Sequence, residues 1–430
     1  MTKLNPQALE LNEIIKKNNP AVLELLSEKG KAIFFPKKGI LAQSDEAKGK
    51  NINATIGIAL EDDKTPMRLS SIAENIKLKP SDIFPYASSF GKPELRKKWK
   101  EMLYKKNPSL YKKEISMPIV TCALTHGLSI LGYLFVNKED EIIASDLLYG
   151  NYKLIFNNGC NAKFNTFNSF KNGKFDILSF KNKINKKNIW KKIVLLNFPN
   201  NPSGYTPYEE EVKQIKSILK KSAEAGNKIL VILDDAYFGL VYRKGIYKES
   251  LFAELADLHK NIIAAKVDGV TKEDYAWGFR VGFITYGIKN GNKDLYSALE
   301  RKTAGAVRGS ISNAPHISQS LVLKSFDSPK YNSEKKKKYE LLKKRFEIVD
   351  KILHDHKEYK KYFEPLPFNS GYFLCIKLKN KNAENIRQNL LNKYDTGVIA
   401  INDLLRIAFS STPTNKLEKL FENIYLACRV

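Results

Sequence analysis

The stretch Lys228-Ile-Leu-Val-Ile-Leu-Asp234-Asp-Ala-Tyr237 joins an apolar run to an abruptly polar end. The five aliphatic residues Ile229 to Leu233 are far too few to cross a bilayer and read as a buried strand. Outward in both directions the same pattern recurs at Ile119 to Thr121, Glu141 to Ala144, Ile193 to Asn197, Ile262 to Lys266 and Val281 to Thr285, with helical stretches between. Such alternation predicts an α/β fold whose mainly parallel sheet is covered by helices. Ligands of such sheets gather at the carboxyl ends of the strands, so reactive residues are expected just after these runs.

Flanking segments complete the plan. Residues 5 to 28 read as a helix, with Leu9, Leu11, Ile14, Ile15, Val22, Leu23 and Leu26 at roughly helical spacing and an interruption near Pro20. After Ser325 a charged helix, Lys335 to Leu353, leads to strand candidates Tyr372 to Leu378 and Leu405 to Phe409. The expected division is residues 1–65 as an N-terminal arm and part of a small domain, 66–325 as a large domain, and 326–430 as a smaller α+β C-terminal domain.

With 430 residues and 43% hydrophobic content the chain can bury a large core. No basic stretch followed by an apolar run and a cleavage site opens the sequence, so a soluble, cytoplasmic protein is expected. Cys122, Cys160, Cys375 and Cys428 lack the paired spacing of a zinc or redox site, so reduced thiols and no metal are expected. The formal charge of +26 raises the question of nucleic acid. Its even spread argues against it, as does the shortage of arginine, which accounts for ten of 72 basic residues. In a chain that uses Lys nearly everywhere, each Arg marks a place where a planar, bidentate cation matters.

Three strand ends carry the chemistry. After Ile193 to Leu196 comes the turn Asn197-Phe-Pro-Asn-Asn-Pro-Ser-Gly204. After Lys228 to Leu233 come Asp234 and Tyr237. After Ile262 to Lys266 comes Val267-Asp-Gly-Val-Thr-Lys272, followed by Gly278-Phe-Arg280-Val-Gly282. Taken singly these are an ordinary turn, a helix cap and a solvated lysine. Together, in this order and with Lys272 eight residues before Arg280, they resemble class I/II aminotransferases of the pyridoxal-phosphate fold type I, over nearly the whole chain.

The resemblance implies a large domain built on a seven-stranded-type sheet, the cofactor pyridoxal 5′-phosphate, and a role for each matching residue. Lys272 would form a Schiff base with the cofactor and later shuttle the substrate proton. Asp234 would hold the pyridine nitrogen protonated, Asn201 and Tyr237 would bind the 3′-oxygen, and Arg280 would grip the phosphate. The rest of the phosphate cup would be Ala123, Leu124 and Thr125 at a helix N-terminus, where many relatives carry glycine in place of Ala123 and Leu124. His126 beside the cup reads equally as a site residue or a packed one. Tyr149 would stack on the cofactor, and Tyr86 would reach the phosphate of a neighbouring subunit, implying a homodimer with shared sites.

For the substrate, Arg406 would hold the α-carboxylate, with Asn201 and Gly57 lining the pocket, Gly57 because of a close backbone approach. Arg308 in Val307-Arg308-Gly-Ser-Ile-Ser312-Asn313-Ala-Pro315 resembles the residue by which aspartate aminotransferases clamp a distal carboxylate from the adjacent subunit. The expected activity is transfer of an amino group from aspartate or another dicarboxylate to a 2-oxo acid such as 2-oxoglutarate. Alternatives are an aminotransferase for aromatic or aliphatic amino acids, a pyridoxal-phosphate-dependent lyase or synthase, and an inactive aminotransferase-like regulator. The last would need an N-terminal DNA-binding module, for which the residues before Gly57 are expected to leave no room.

Overall fold

The computed structural model describes residues 4–18, 23, 26, 28–32, 40–74, 78–186 and 191–429. Seven strands form the main sheet: β1 (Ile119–Cys122), β2 (Glu141–Ser145), β3 (Lys163–Phe167), β4 (Lys191–Asn197), β5 (Lys228–Asp234), β6 (Ile262–Gly269) and β7 (Val281–Ile288). Their spatial order is β1-β7-β6-β5-β4-β2-β3. From β6 through β3 every neighbouring pair is parallel. Only β7 runs against its neighbours β6 and β1. That reversal puts the start of β7, rather than its end, at the carboxyl edge of the parallel strands. Arg280 precedes its strand for this reason, whereas Asp234 ends one.

Strand interiors are apolar because helices cover both faces. Every residue of β5 after Lys228 is buried, and so is all of β7. After an N-terminal helix α1 (Pro6–Asn18), the covering helices include α2 (Pro93–Lys106), α3 (Ala123–Phe135), α4 (Glu209–Glu224) and α5 (Lys293–Ile311). Helix α4 starts after the Asn197–Gly204 turn with three glutamates in its first turn, where negative charge opposes the helix dipole. Glu211 accepts a bond from the Tyr208 backbone N–H at 2.8 Å, which fixes where the turn becomes helix.

A second, antiparallel sheet has the order β8 (Phe363–Pro365), β9 (Phe373–Leu378), β11 (Leu404–Ala408), β10 (Ile399–Ile401). Before it lies the long helix α6 (Tyr331–Asp355). The chain's early residues join this region, since Ile52–Asn53 pairs with Thr396–Gly397 and Arg345 of α6 bonds Asp62 at 2.9 Å.

Two expectations need correction. The N-terminal helix does not run from 5 to 28: α1 ends at Asn18 and a separate short helix spans Glu28–Ala32, while Pro20 and Val22 lie outside the described residues. The edge strand β3 was not expected, because Lys163-Phe-Asn-Thr-Phe has no continuous apolar run and is only partly buried, unlike the uniformly apolar interior strands. Among the described residues no helix is long and apolar enough to cross a membrane.

Candidate functional site

The site is assembled where β4, β5 and β6 end. Asn197 closes β4 opposite Asp234 on β5. Its side chain donates to the Asp234 carbonyl at 2.8 Å and accepts the Asn201 backbone N–H at 2.8 Å, folding the turn back so that Asn201 points into the cleft. At Gly204, with φ +72°, a Cβ would lie 1.9 Å from the Phe373 carbonyl oxygen. Only glycine lets this turn dock on the C-terminal segment, where the Gly204 carbonyl accepts the N–H groups of Asn369 and Ser370.

Asp234 is 4% exposed. Its Oδ2 accepts the Tyr152 hydroxyl at 2.5 Å and its Oδ1 accepts the Ala236 N–H at 3.2 Å. Burial pushes its carboxyl above the ordinary range, opposed by the Tyr152 bond and the nearby Lys272 charge. Asp234 is thus a buried anion with two neutral donors.

Lys272 sits in the single helical turn Val270–Glu273 that follows β6. Its Nζ lies 5.2 Å from the centre of the Tyr237 ring. Burial holds its pKa below that of a free lysine and the Arg280 charge adds to the effect, against the pull of Asp234. The two carboxylates that follow it are neutralised from behind: Glu273 pairs with Lys106 and Lys335, and Asp274 with Lys335 at 2.8 Å. Their charges therefore do not compete with Asp234 for the Lys272 amine. Tyr237, 4% exposed, hydrogen-bonds Asn201 and packs edge-on to Tyr372 and Phe373.

Arg280 has left-handed backbone geometry, φ +56°, and its Nη1 donates to the Trp277 carbonyl at 3.0 Å. The β7–β1 pairing sets Val281 beside Cys122, which places Arg280 near the N-terminus of α3. There Ala123 also adopts a left-handed conformation, φ +60°, and Leu124 is buried while Thr125 is exposed. The glycine of many relatives would take that conformation without strain. The first-turn amides of α3 have no intrahelical carbonyl, and Thr271 Oγ1, next to Lys272, is buried without a partner. Tyr149 is half-buried and perpendicular to Tyr152, ring centres 5.4 Å apart.

Arg406, on β11, is 3% exposed. Its guanidinium lies 4.3 Å over the Phe373 ring, and its Nη groups donate to the Thr55 carbonyl at 3.1 Å and Asn201 Oδ1 at 3.4 Å. Its Nε has no partner, and no described carboxylate pairs with it. Gly57 is exposed, and a Cβ there would meet no described atom within 4 Å.

Tyr86 and Arg308 are not brought to Lys272 within this chain. Tyr86 is 90% exposed and Arg308 is exposed in the last turn of α5. Their segments do meet: His316 Nδ1 bonds the Pro85 carbonyl at 2.8 Å and Ser89 Oγ bonds the Ser312 carbonyl at 2.8 Å. Both residues therefore belong to one exposed face, with Phe84 at 81% exposure beside them. Sequence reading took Asn369–Phe373 as a segment lining the pocket but did not single out Tyr152, Asn197 or Thr55 as members of the site. Tyr152 had a visible signal, standing three residues after Tyr149 in the same segment. Thr55 contributes only its carbonyl, which no side-chain motif could reveal.

Against known proteins, the model of the family described as aminotransferase class I and II matches residues 51–424. An aspartate aminotransferase of Sulfurisphaera tokodaii is 28% identical over 205 residues, 46% of this chain and 47% of that protein. Thus the chain spans about half the length of this curated relative. An aspartate aminotransferase of Bacillus sp. (strain YM-2) is 26% identical over 304 residues, covering 70% of this chain and 71% of that protein. Among solved structures, an aminotransferase from Anaerococcus prevotii superposes with a TM-score of 0.83 at 22% identity, over 94% of this chain and all of that one, which establishes the shared fold.

Proposed function

The chain belongs to the class I and II aminotransferase family, a family dependent on pyridoxal 5′-phosphate, and from that premise we propose that it is an aminotransferase acting on a dicarboxylic amino acid. The observation that carries the amino-acid part of the reading is Arg406, a buried guanidinium with no carboxylate partner among the described residues. A buried cation is costly unless an anion meets it. An α-carboxylate brought by the substrate supplies one.

The residues around Lys272 fit the cofactor by their donor chemistry. The set comprises an amine, a buried carboxylate, a phenol paired with an amide, a guanidinium beside a helix N-terminus, and an unpartnered hydroxyl at Thr271. When bound, pyridoxal phosphate supplies an electron sink for the pair left at Cα after proton loss. Asp234 would hold the proton on its ring nitrogen, and Asn201 and Tyr237 would donate to its 3′-oxygen. Arg280, Thr271 and the amides of Ala123, Leu124 and Thr125 would bind the phosphate, and Tyr149 would pack against the ring. Lys272 Nζ takes the proton from the substrate Cα, a task suited to an amine whose proton affinity is lowered. Arg406 and Asn201 fix the α-carboxylate, with Gly57 giving access to it.

Two features support a dicarboxylate: Arg308 offers an exposed guanidinium on the same face as Tyr86, and both curated relatives above are named aspartate aminotransferases. In this reading two chains pair through that face, and Arg308 and Tyr86 serve the partner's site. The aromatic walls formed by Tyr149, Tyr237 and Phe373 favour a second reading, an aromatic amino acid as donor. A half-reaction screen of the purified, cofactor-loaded protein against twenty amino acids decides between them by which one depletes the visible absorbance of the bound cofactor. Arg308→Ala is expected to raise KM for aspartate far more than for phenylalanine; equal losses on both overturn the dicarboxylate reading.

A further inference from the structure

His126 stands in the second turn of α3, just beyond the proposed phosphate cup, and both its ring nitrogens are engaged. Its Nδ1 lies 3.1 Å from the Cys122 backbone nitrogen, and its Nε2 lies 2.9 Å from Ser310 Oγ. Each contact fixes the proton independently. The Cys122 amide can only donate, so Nδ1 must accept. The Ser310 hydroxyl spends its one hydrogen on the Val307 carbonyl at 3.1 Å, so Nε2 must donate. A neutral imidazole with its proton on Nε2 satisfies the whole chain; imidazolium would turn Nδ1 into a donor facing a donor.

The far end of this chain of bonds is the last turn of α5. Ser310 lies two residues beyond Arg308, and the helix stops at Ser312, whose φ of +65° closes it with a bond from its N–H to the Arg308 carbonyl at 3.3 Å. Ser312 is held in turn by Ser89. The groups bonded to His126, from the end of β1 and from α5, are these uncharged ones, and burial lowers its pKa.

We propose that His126 is a positioning residue for substrate choice, its neutral imidazole tying the phosphate-cup helix to the end of α5 that presents Arg308 to a dicarboxylate. The inference rests on the Arg308 reading above. It gives a residue next to the cup a part in recognising a distal carboxylate that it never touches, and it makes that recognition weaken as the imidazole is protonated.

The test uses the cofactor-loaded full chain with aspartate and phenylalanine. His126→Ala and Ser310→Ala are each expected to raise the ratio of KM for aspartate to KM for phenylalanine roughly three- to tenfold, the factor corresponding to one ordinary hydrogen bond. Because they cut one chain of bonds, the double variant is expected to raise the ratio no further than either alone. Nitrogen-15 chemical shifts of the His126 ring, which need no turnover, are expected to show the proton on Nε2. A proton on Nδ1, additive effects, or a ratio that Arg308→Ala moves and these variants do not would overturn the inference. If Arg308→Ala itself leaves the ratio unmoved, the dicarboxylate reading fails and the inference falls with it, whatever the ring shifts show.

Discussion

The Tyr152 hydroxyl donates to Asp234 Oδ2 at 2.5 Å, and neither group is more than 4% exposed. A donor on the charged form of a buried acid holds its pKa down, and Asp234 needs the help because burial drives it up. Tyr152→Phe removes the donor and little volume. Asp234 then takes a proton more readily, so the acid limb of the pH–rate profile is expected to move to higher pH. The turnover number at neutral pH should fall on the order of tenfold, about the strength of a hydrogen bond to a charged group. An unchanged acid limb would show that Tyr152 only fills space.

The meeting of β7 with α3 gives a prediction about backbone fit. A Cβ at Gly282 would lie 2.7 Å from the Ala123 carbonyl carbon and 3.0 Å from the Leu124 nitrogen, and backbone atoms there cannot retreat without moving the cup. Gly282→Ala is expected to cost roughly 1–3 kcal/mol of stability and to weaken cofactor retention. Ala123→Gly acts oppositely, relieving a left-handed alanine for a net gain of up to about 1 kcal/mol. Urea unfolding curves and equilibrium dialysis of the cofactor check both; retention unaffected by Gly282→Ala would remove Ala123 and Leu124 from the phosphate contacts.

How far the sequence discloses this arrangement depends on what a residue contributes. The interior strands were legible because uniform apolar runs follow from burial on both faces, whereas β3, half-buried at the edge, carries no such run. Asp234, Lys272 and Arg280 were legible through family order, since each uses its own side chain at a strand end. Thr55 was not, because only its carbonyl serves Arg406. The scarcity of arginine does not by itself single out function: Arg345, Arg387 and Arg406, three of the ten arginines, are under 4% exposed, and the first two hold Asp62 and Glu384 rather than a ligand. A planar fork is needed to satisfy a buried cation in either setting. Arg308 and Tyr86 lie exposed, and a part for them in a site belongs to the proposed pairing of two chains.

The ion pairs behind Lys272 make stability depend on acid. Lys106 and Lys335 hold the Glu273 carboxyl down to about 2, from an ordinary 4.5, against the opposing effect of burial. A carboxylate whose folded pKa is depressed contributes stability that is complete above its unfolded pKa and is lost as pH falls from 4.5 toward 2. The contribution is roughly 3 kcal/mol. Glu273→Gln should therefore be less stable at pH 7 by a few kcal/mol, on the order of a broken buried pair. Its unfolding free energy should also vary less between pH 5 and pH 3 than that of the starting protein. Parallel acid limbs in the two proteins would place the acid sensitivity elsewhere.

Arg406 and Arg345 allow charge and geometry to be separated from stability. Both are buried and each leaves its Nε unpartnered among the described residues; Arg345 donates to the Ser410 carbonyl and to the Asp62 carboxylate, while Arg406 donates to the Thr55 carbonyl and Asn201 Oδ1 and meets no described carboxylate. Lysine in place of either keeps the charge but loses the planar fork. Arg345→Lys is expected to lower stability by about 1–3 kcal/mol, leaving kcat/KM of the folded fraction within a small factor of the original. Arg406→Lys is expected to do the reverse, with little change in unfolding free energy because its missing partner is a ligand. Its kcat/KM should drop by roughly a hundredfold or more for every amino acid tested, since all share the α-carboxylate. Steady-state kinetics with aspartate, alanine and phenylalanine, beside urea unfolding of both variants, gives the comparison. A loss at Arg406 confined to one amino acid would move it from the α-carboxylate to the side-chain pocket.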